Sequence, residues 1–81
     1  MIREAFAQRL ADTRLRYGQQ TGRPGITAQD FAGVLGIEVE RYRKYERAER
    51  EPPLWILQRI SQITGASLDY LISGSTPAKA A

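Results

Sequence analysis

The chain has neither cysteine nor histidine among its 81 residues. Without cysteine, no disulfide and no thiolate metal site can reinforce the fold. Without histidine, the commonest general base and the commonest zinc ligand are missing. No carboxylate pair falls in an evident cleft, and no glycine-rich phosphate loop follows a strand. An enzyme is therefore not expected, nor is any cofactor, metal or small-molecule ligand. Long apolar runs are also lacking. None approaches the ~18 residues that a membrane span requires, so no membrane partner is expected. The opening MIREAFAQRL carries Arg3 and Glu4 and does not read as a signal peptide. With no cysteine to suggest an oxidising compartment, the expected location is the cytoplasm.

What remains suits a small domain near the lower size limit for a core that needs no staple. The formal net charge is +3 and the pI about 9.7, a mildly basic balance that permits a nucleic-acid partner without demanding one. The most informative stretch is TAQDFAGVLGIEVERYRKYE, from Thr27 to Glu46. Thr27 suits an N-cap, Asp30 is placed to reach back as in a capping box, and Ile26 to pack on Phe31 as a staple. Phe31, Ala32 and Leu35 recur at helical spacing and predict a short helix over 28–35, stopped by Gly36. A second helix is expected from about Glu38 to Glu46. Val39, Tyr42 and Tyr45 or Glu46 lie on one of its faces, with Glu40, Arg41, Arg43, Lys44 and Arg47 on the others. Two short helices joined by a glycine-containing turn form the helix-turn-helix pattern.

On either side the pattern remains helical. Phe6, Leu10 and Tyr17, with Ala7, Ala11 and Leu15 nearby, predict a helix over 3–17. Residues 18–25, GQQTGRPG, read as a loop, and residues 47–53 as an exit loop closed by Pro52 and Pro53. A fourth helix is expected over 54–64, with Leu57, Ile60 and Thr64 as its stripe, Ile56 and Ile63 alongside, and Trp55 at the core margin or in an interface. Gly65 ends it. Ser67 then caps a last helix over 68–72, and residues 73–81 read as a frayed tail after a domain spanning 1–72.

Thr27, Ala32, Leu35, Gly36, Glu46, Pro52, Leu57, Ser67, Leu68, Asp69 and Leu71 together resemble the helix-turn-helix family of phage Cro and C1-type repressors, also called XRE-like. The resemblance covers residues 3–72. It implies an all-α, compact five-helix bundle of the lambda-repressor-like type, and an Arg14–Glu46 ion pair inside the protein. It also implies that the 38–46 helix enters a DNA major groove. Val39, Glu40, Arg43 and Lys44 would then meet base edges, and Thr27, Gln29, Arg41, Arg47 and Arg50 the phosphates. Chemically these roles are sound. Arginine and lysine donate to guanine, glutamate accepts from the cytosine amino group, and a valine touches a thymine methyl. The chain departs from the pattern in three places. The helix 1–2 loop is about seven residues longer than usual. Ala28 stands where the family has a phosphate-binding glutamine, with Gln29 one position late. Ala48 replaces a glycine. Glu38 and Glu40 add negative charge at the end nearest DNA, although acidic residues also suit a helix N-terminus.

The function implied is a DNA-binding transcriptional regulator, a repressor that occupies its operator as a homodimer. The C-terminal helix around Tyr70 to Ile72, with Trp55, is the candidate dimer surface, and core packing is the other use for those side chains. The competing reading is a helix-turn-helix interaction module, antitoxin-like or accessory, with weak or no DNA binding.

Overall fold

The computed structural model describes residues 3–75 as five helices with no strand among them. They are α1 (Arg3–Gln20), α2 (Ala28–Leu35), α3 (Val39–Glu46), α4 (Leu54–Thr64) and α5 (Leu68–Ser73). The core is built from one stripe of each helix. Phe6 and Leu10 of α1, Phe31, Ala32 and Leu35 of α2, and Tyr42 and Tyr45 of α3 meet Ile56, Leu57 and Ile60 of α4 and Leu71 of α5. Phe31 sits between two tyrosine rings, with centroids 5.5 Å from both Tyr17 (tilted, 57°) and Tyr42 (edge-to-face, 72°), so α1, α2 and α3 share one aromatic cluster. Ile26, just before α2, is buried in the same cluster. Leu15 and Ile63, placed by their spacing alongside the core stripes, are instead 41% and 36% exposed.

The N-terminal helix corrects the sequence reading. Helix α1 does not stop at Tyr17 but continues through Gly18, Gln19 and Gln20, so the loop begins at Thr21. Gly18 is there for close approach rather than as a stop. A Cβ on it would lie 2.4 Å from the Arg23 carbonyl oxygen and 2.6 Å from Ile26 Cγ2. The Gly18 carbonyl in turn accepts the Arg23 N–H at 2.7 Å, and the Arg23 carbonyl accepts the Ile26 N–H at 3.0 Å. The long connection is therefore folded down onto the end of α1.

At α2 the Thr27 hydroxyl accepts the Asp30 N–H at 3.1 Å. The reciprocal half of a capping box is absent, because the Asp30 carboxylate turns to Arg23 instead, at 3.4 Å. Helices α2 and α3 leave by the same Schellman exit. At α2, Ile37 N–H donates to Ala32 O and Gly36 N–H to Gly33 O; at α3, Glu49 N–H donates to Lys44 O and Ala48 N–H to Tyr45 O. Both exits need a left-handed residue, supplied by Gly36 at φ 77° and by Ala48 at φ 61°. Ala48 therefore carries strain that glycine would not.

The last helix is tied to the first by Arg9, which donates to the carbonyls of Leu71 at 3.1 Å and Ile72 at 3.0 Å. Ser73 completes α5 rather than opening a tail, and Gly74 follows in a left-handed conformation. The frayed tail expected beyond it falls largely on residues 76–81, outside the described residues.

Two substitutions check these backbone arguments. Ala48→Gly removes a left-handed alanine at the cost of a more flexible unfolded chain, for a net gain of about 1 kcal/mol. A thermal midpoint raised by about 4–8 °C is the expected result in a calorimetric scan. Gly18→Ala is expected to lower stability by about 1–3 kcal/mol, because its methyl group meets backbone that cannot yield easily.

Candidate nucleic-acid interface

Helix α3 is eight residues long, too short to hold a direction by itself. Its orientation comes from its inner face. Tyr42 and Tyr45 are almost wholly buried, and Glu46, one turn beyond Tyr42, reaches α1. Arg14 Nε lies 2.8 Å from Glu46 Oε2 and Arg14 Nη2 lies 3.1 Å from Oε1, a two-pronged pair whose side chains are only 16% and 15% exposed. The remaining arm of Arg14 donates to the Ile26 carbonyl, and the Tyr42 hydroxyl donates to Glu46 Oε2. One guanidinium and one carboxylate thus join α1, the entry to α2 and both turns of α3. The Glu46 hydrogen bond, acting against burial, holds Arg14 above its ordinary value. Tyr42 is raised as well, chiefly by burial and then by the charge and hydrogen bond of Glu46.

The outer face carries the charge. Glu38, Glu40, Arg41, Lys44 and Arg50 surround one open concavity. Among the described residues no ion pair engages Lys44 or Arg50. The other cations of this face are engaged. Glu40 lies 3.2 Å from Arg43 and 3.7 Å from Arg47, while Arg47 also meets Glu49 at 2.9 Å. The hydrogen bond to Glu49, and after it the charges of Glu49 and Glu40, raise Arg47 above its ordinary value. Arg41 donates to the Tyr45 hydroxyl at 2.9 Å and lays its guanidinium over the Trp55 ring, 5.6 Å from the centroid. Arg59 stands at the same distance from that ring, so Trp55, 48% exposed, is flanked by two cations. Arg59 also donates to the Leu35 carbonyl at the end of α2.

The sites named from the sequence are therefore distributed unevenly. Glu40, Arg41, Lys44 and Arg50 come together; Arg43 and Arg47 hang on Glu40; Val39 is half-buried against the core. Thr27 and Gln29 are exposed on a different element, at the start of α2, where Ala28 packs on the core. The Glu40 pairs, the Arg41–Trp55–Arg59 arrangement and the Tyr42–Glu46 bond escaped the sequence reading. Only spacing hinted at two of them, since Glu40 and Arg43 are three apart and Tyr42 and Glu46 four apart on one helix.

A short helix fixed from within, preceded by a glycine turn and a second short helix, defines a helix-turn-helix protein. The sequence model of the helix-turn-helix family matches residues 23–71, and the chain belongs to that family, in its Cro/C1-type (XRE-like) branch. Two curated proteins of Bacillus subtilis strain 168 are similar. One, YonR, is named as an SPbeta prophage-derived uncharacterized HTH-type transcriptional regulator. It is 41% identical over 51 residues, covering 63% of this chain and 47% of that protein. The other, YqaE, is named as an uncharacterized HTH-type transcriptional regulator. It is 43% identical over 54 residues, covering 67% of this chain and 47% of that protein. The matched region thus spans about half the length of these relatives. No solved structure gives a significant match. The family is one of transcriptional regulators rather than a class of enzymes. Among the described residues no helix is long and apolar enough to cross a membrane, and no group of three or more acidic side chains is placed to hold a metal.

Two measurements check the internal knot. Glu46→Gln leaves Arg14 charged and half-matched, and is expected to cost about 2–4 kcal/mol in chemical denaturation. The raised value of Tyr42 fixes the sign of a pH effect. Above pH 10, the unfolded chain loses the tyrosine proton while the folded chain keeps it, so stability falls as pH rises. The decline from this group is at most about 1.4 kcal/mol per pH unit. Tyr42→Phe is expected to be less stable at neutral pH and to show a shallower alkaline decline than the parent.

Proposed function

We propose that the protein is a sequence-specific, double-stranded-DNA-binding transcriptional regulator of the cytoplasm. In this reading it represses by occupying an operator as a homodimer. The observation that carries it is the division of α3: an inner face locked by Tyr42, Tyr45 and Glu46, and an outer face that offers Lys44 beside Glu40 and Arg41, with Arg50 of the exit loop on the same concavity. A helix presented this way fits a major groove, where Lys44 donates to guanine O6 or N7 and Glu40 accepts from a cytosine amino group. Arg50, with Thr27 and Gln29 at the start of α2, supplies phosphate contacts that set register without reading sequence. Arg41, Arg43 and Arg47 join them once released from their present partners, and Val39 offers its exposed edge to a thymine methyl.

One such helix reads only a few base pairs, and a two-fold dimer on half-sites about 34 Å apart doubles the reading. Of the residues named for a dimer surface, Leu71 is spent in the core and Tyr70 packs against it, while Ile72 and Trp55 stay 38% and 48% exposed. The interaction-module reading draws on Ala28 and on the pairing of Arg43 and Arg47 with Glu40, which reduce the cations free for DNA.

Selection from a random duplex pool, followed by anisotropy at two salt concentrations, separates the two. A two-fold symmetric enriched motif with a steep salt slope supports the regulator; no enriched motif supports the module. On the enriched duplex, Lys44→Ala is expected to lose about 1–3 kcal/mol and to lose little on unrelated DNA. Arg50→Ala is expected to weaken binding to every duplex alike and to lower the salt slope by about one unit.

A further inference from the structure

On the outer face of α3 and its exit, five cations stand among the residues proposed for DNA, and one carboxylate is shared by two of them. Glu40 places Oε2 3.2 Å from Arg43 Nη1 and Oε1 3.7 Å from Arg47 Nη2, so each oxygen faces a different arginine. All three side chains are exposed, at 65% for Glu40, 41% for Arg43 and 47% for Arg47, so none of this is needed to satisfy a buried group. Ion pairs so exposed contribute little to folding. Their geometry has another consequence. A carboxylate is a charged acceptor of the kind a phosphate offers: Glu40 occupies a donor of Arg43 and, at 3.7 Å, holds Arg47 by charge alone.

We infer that Glu40 is a specificity-determining residue acting as an internal counter-charge, holding Arg43 and Arg47 away from the backbone of any duplex that gives Glu40 nothing to accept. The inference rests on the DNA-binding reading above. On a random duplex, Glu40 meets phosphate repulsion and keeps its arginines. On a site that presents a cytosine amino group, Glu40 takes that donor instead, Arg43 is released for phosphate or guanine, and Arg47 is left with Glu49 as its one remaining partner. The carboxylate thereby converts one base contact into the release of Arg43 and a weaker hold on Arg47. Glu49 differs in kind, because it engages Arg47 alone, at 2.9 Å, and lies beyond the end of the helix.

The test compares Glu40→Gln, Glu49→Gln and Asp12→Asn, each of which removes one negative charge. Asp12 is an exposed residue of α1 whose carboxylate accepts from Gln8, and it controls for net charge alone. Anisotropy is read on a random-sequence duplex and on the duplex enriched by selection. Glu40→Gln is expected to bind the random duplex about 2- to 10-fold more tightly than the parent, the range that release of one exposed pair and weakening of a second allows. Its salt slope is expected to steepen by about one unit. Asp12→Asn is expected to gain the least and Glu49→Gln, which frees Arg47, about as much as Glu40→Gln on the random duplex, and the ratio of enriched to random affinity is expected to fall only in Glu40→Gln. A gain in Glu40→Gln no larger than in Asp12→Asn would overturn the inference while leaving DNA binding intact. A parent protein with no salt-dependent binding to either duplex overturns the DNA reading itself, and the inference with it. Unchanged circular dichroism in all three variants confirms that binding and not folding is being read.

Discussion

One ion pair sets the direction of α3 within the bundle. Arg14 sits in the middle of α1, Glu46 at the last residue of α3, and their side chains meet in a site where little solvent reaches them. An eight-residue helix has little stability alone, and its direction relative to the bundle is set by whatever holds its two ends. Tyr42 and Tyr45 anchor its body in the core, but aromatic packing tolerates rotation. The forked geometry of a guanidinium against a carboxylate does not, and the added bonds from Arg14 to Ile26 and from Tyr42 to Glu46 fix the same turn from two further sides. The pair acts less as a source of net stability than as a constraint on orientation, since a well-packed apolar pair of like volume often matches a buried ion pair in energy.

That constraint decides what the outside of α3 can do. With Tyr42, Tyr45 and Glu46 facing in, the helix period leaves Glu40, Arg41, Arg43, Lys44 and Arg47 facing out or sideways. These outer residues form a second layer of interactions, weak and solvent-screened, in which Glu40 competes for Arg43 and Arg47 while Tyr45 and Trp55 hold Arg41. The inner layer is geometric and the outer layer electrostatic. On the DNA-binding reading proposed above, such a surface keeps its shape while its charges exchange partners, as recognition of a polyanion in salt requires.

The fold was legible in the sequence wherever a local signal and the core agreed. Thr27 and Ser67 cap helices with their hydroxyls, Gly36 and Gly65 end them in left-handed conformations, and the apolar spacing of α2 and α4 marks their buried stripes. The reading failed at Gly18 because a glycine can be required for two different reasons. Composition suggests a stop, whereas here the reason is the approach of Arg23 and Ile26 from residues that no local pattern connects. The boundary of α1 is thus set by tertiary packing. The candidate site was legible only as a set of residue types at suitable spacing. Which of them are free is decided by rotamers. Glu40 had either Arg43 or solvent within reach, and Arg41 either solvent or the Tyr45–Trp55 surface, and nothing in the one-dimensional pattern distinguishes these.

On the proposal made above, α3, oriented from within, is the surface that meets DNA. The most direct test is titration of isotopically labelled protein with duplex DNA, followed by amide chemical-shift changes along the chain. The largest changes are expected on residues 38–50 and at the start of α2, with Arg14 and Tyr42 little affected because the inner layer is already in place. Changes concentrated on Leu54, Trp55, Ile63 or Ile72, with α3 unmoved, would contradict it.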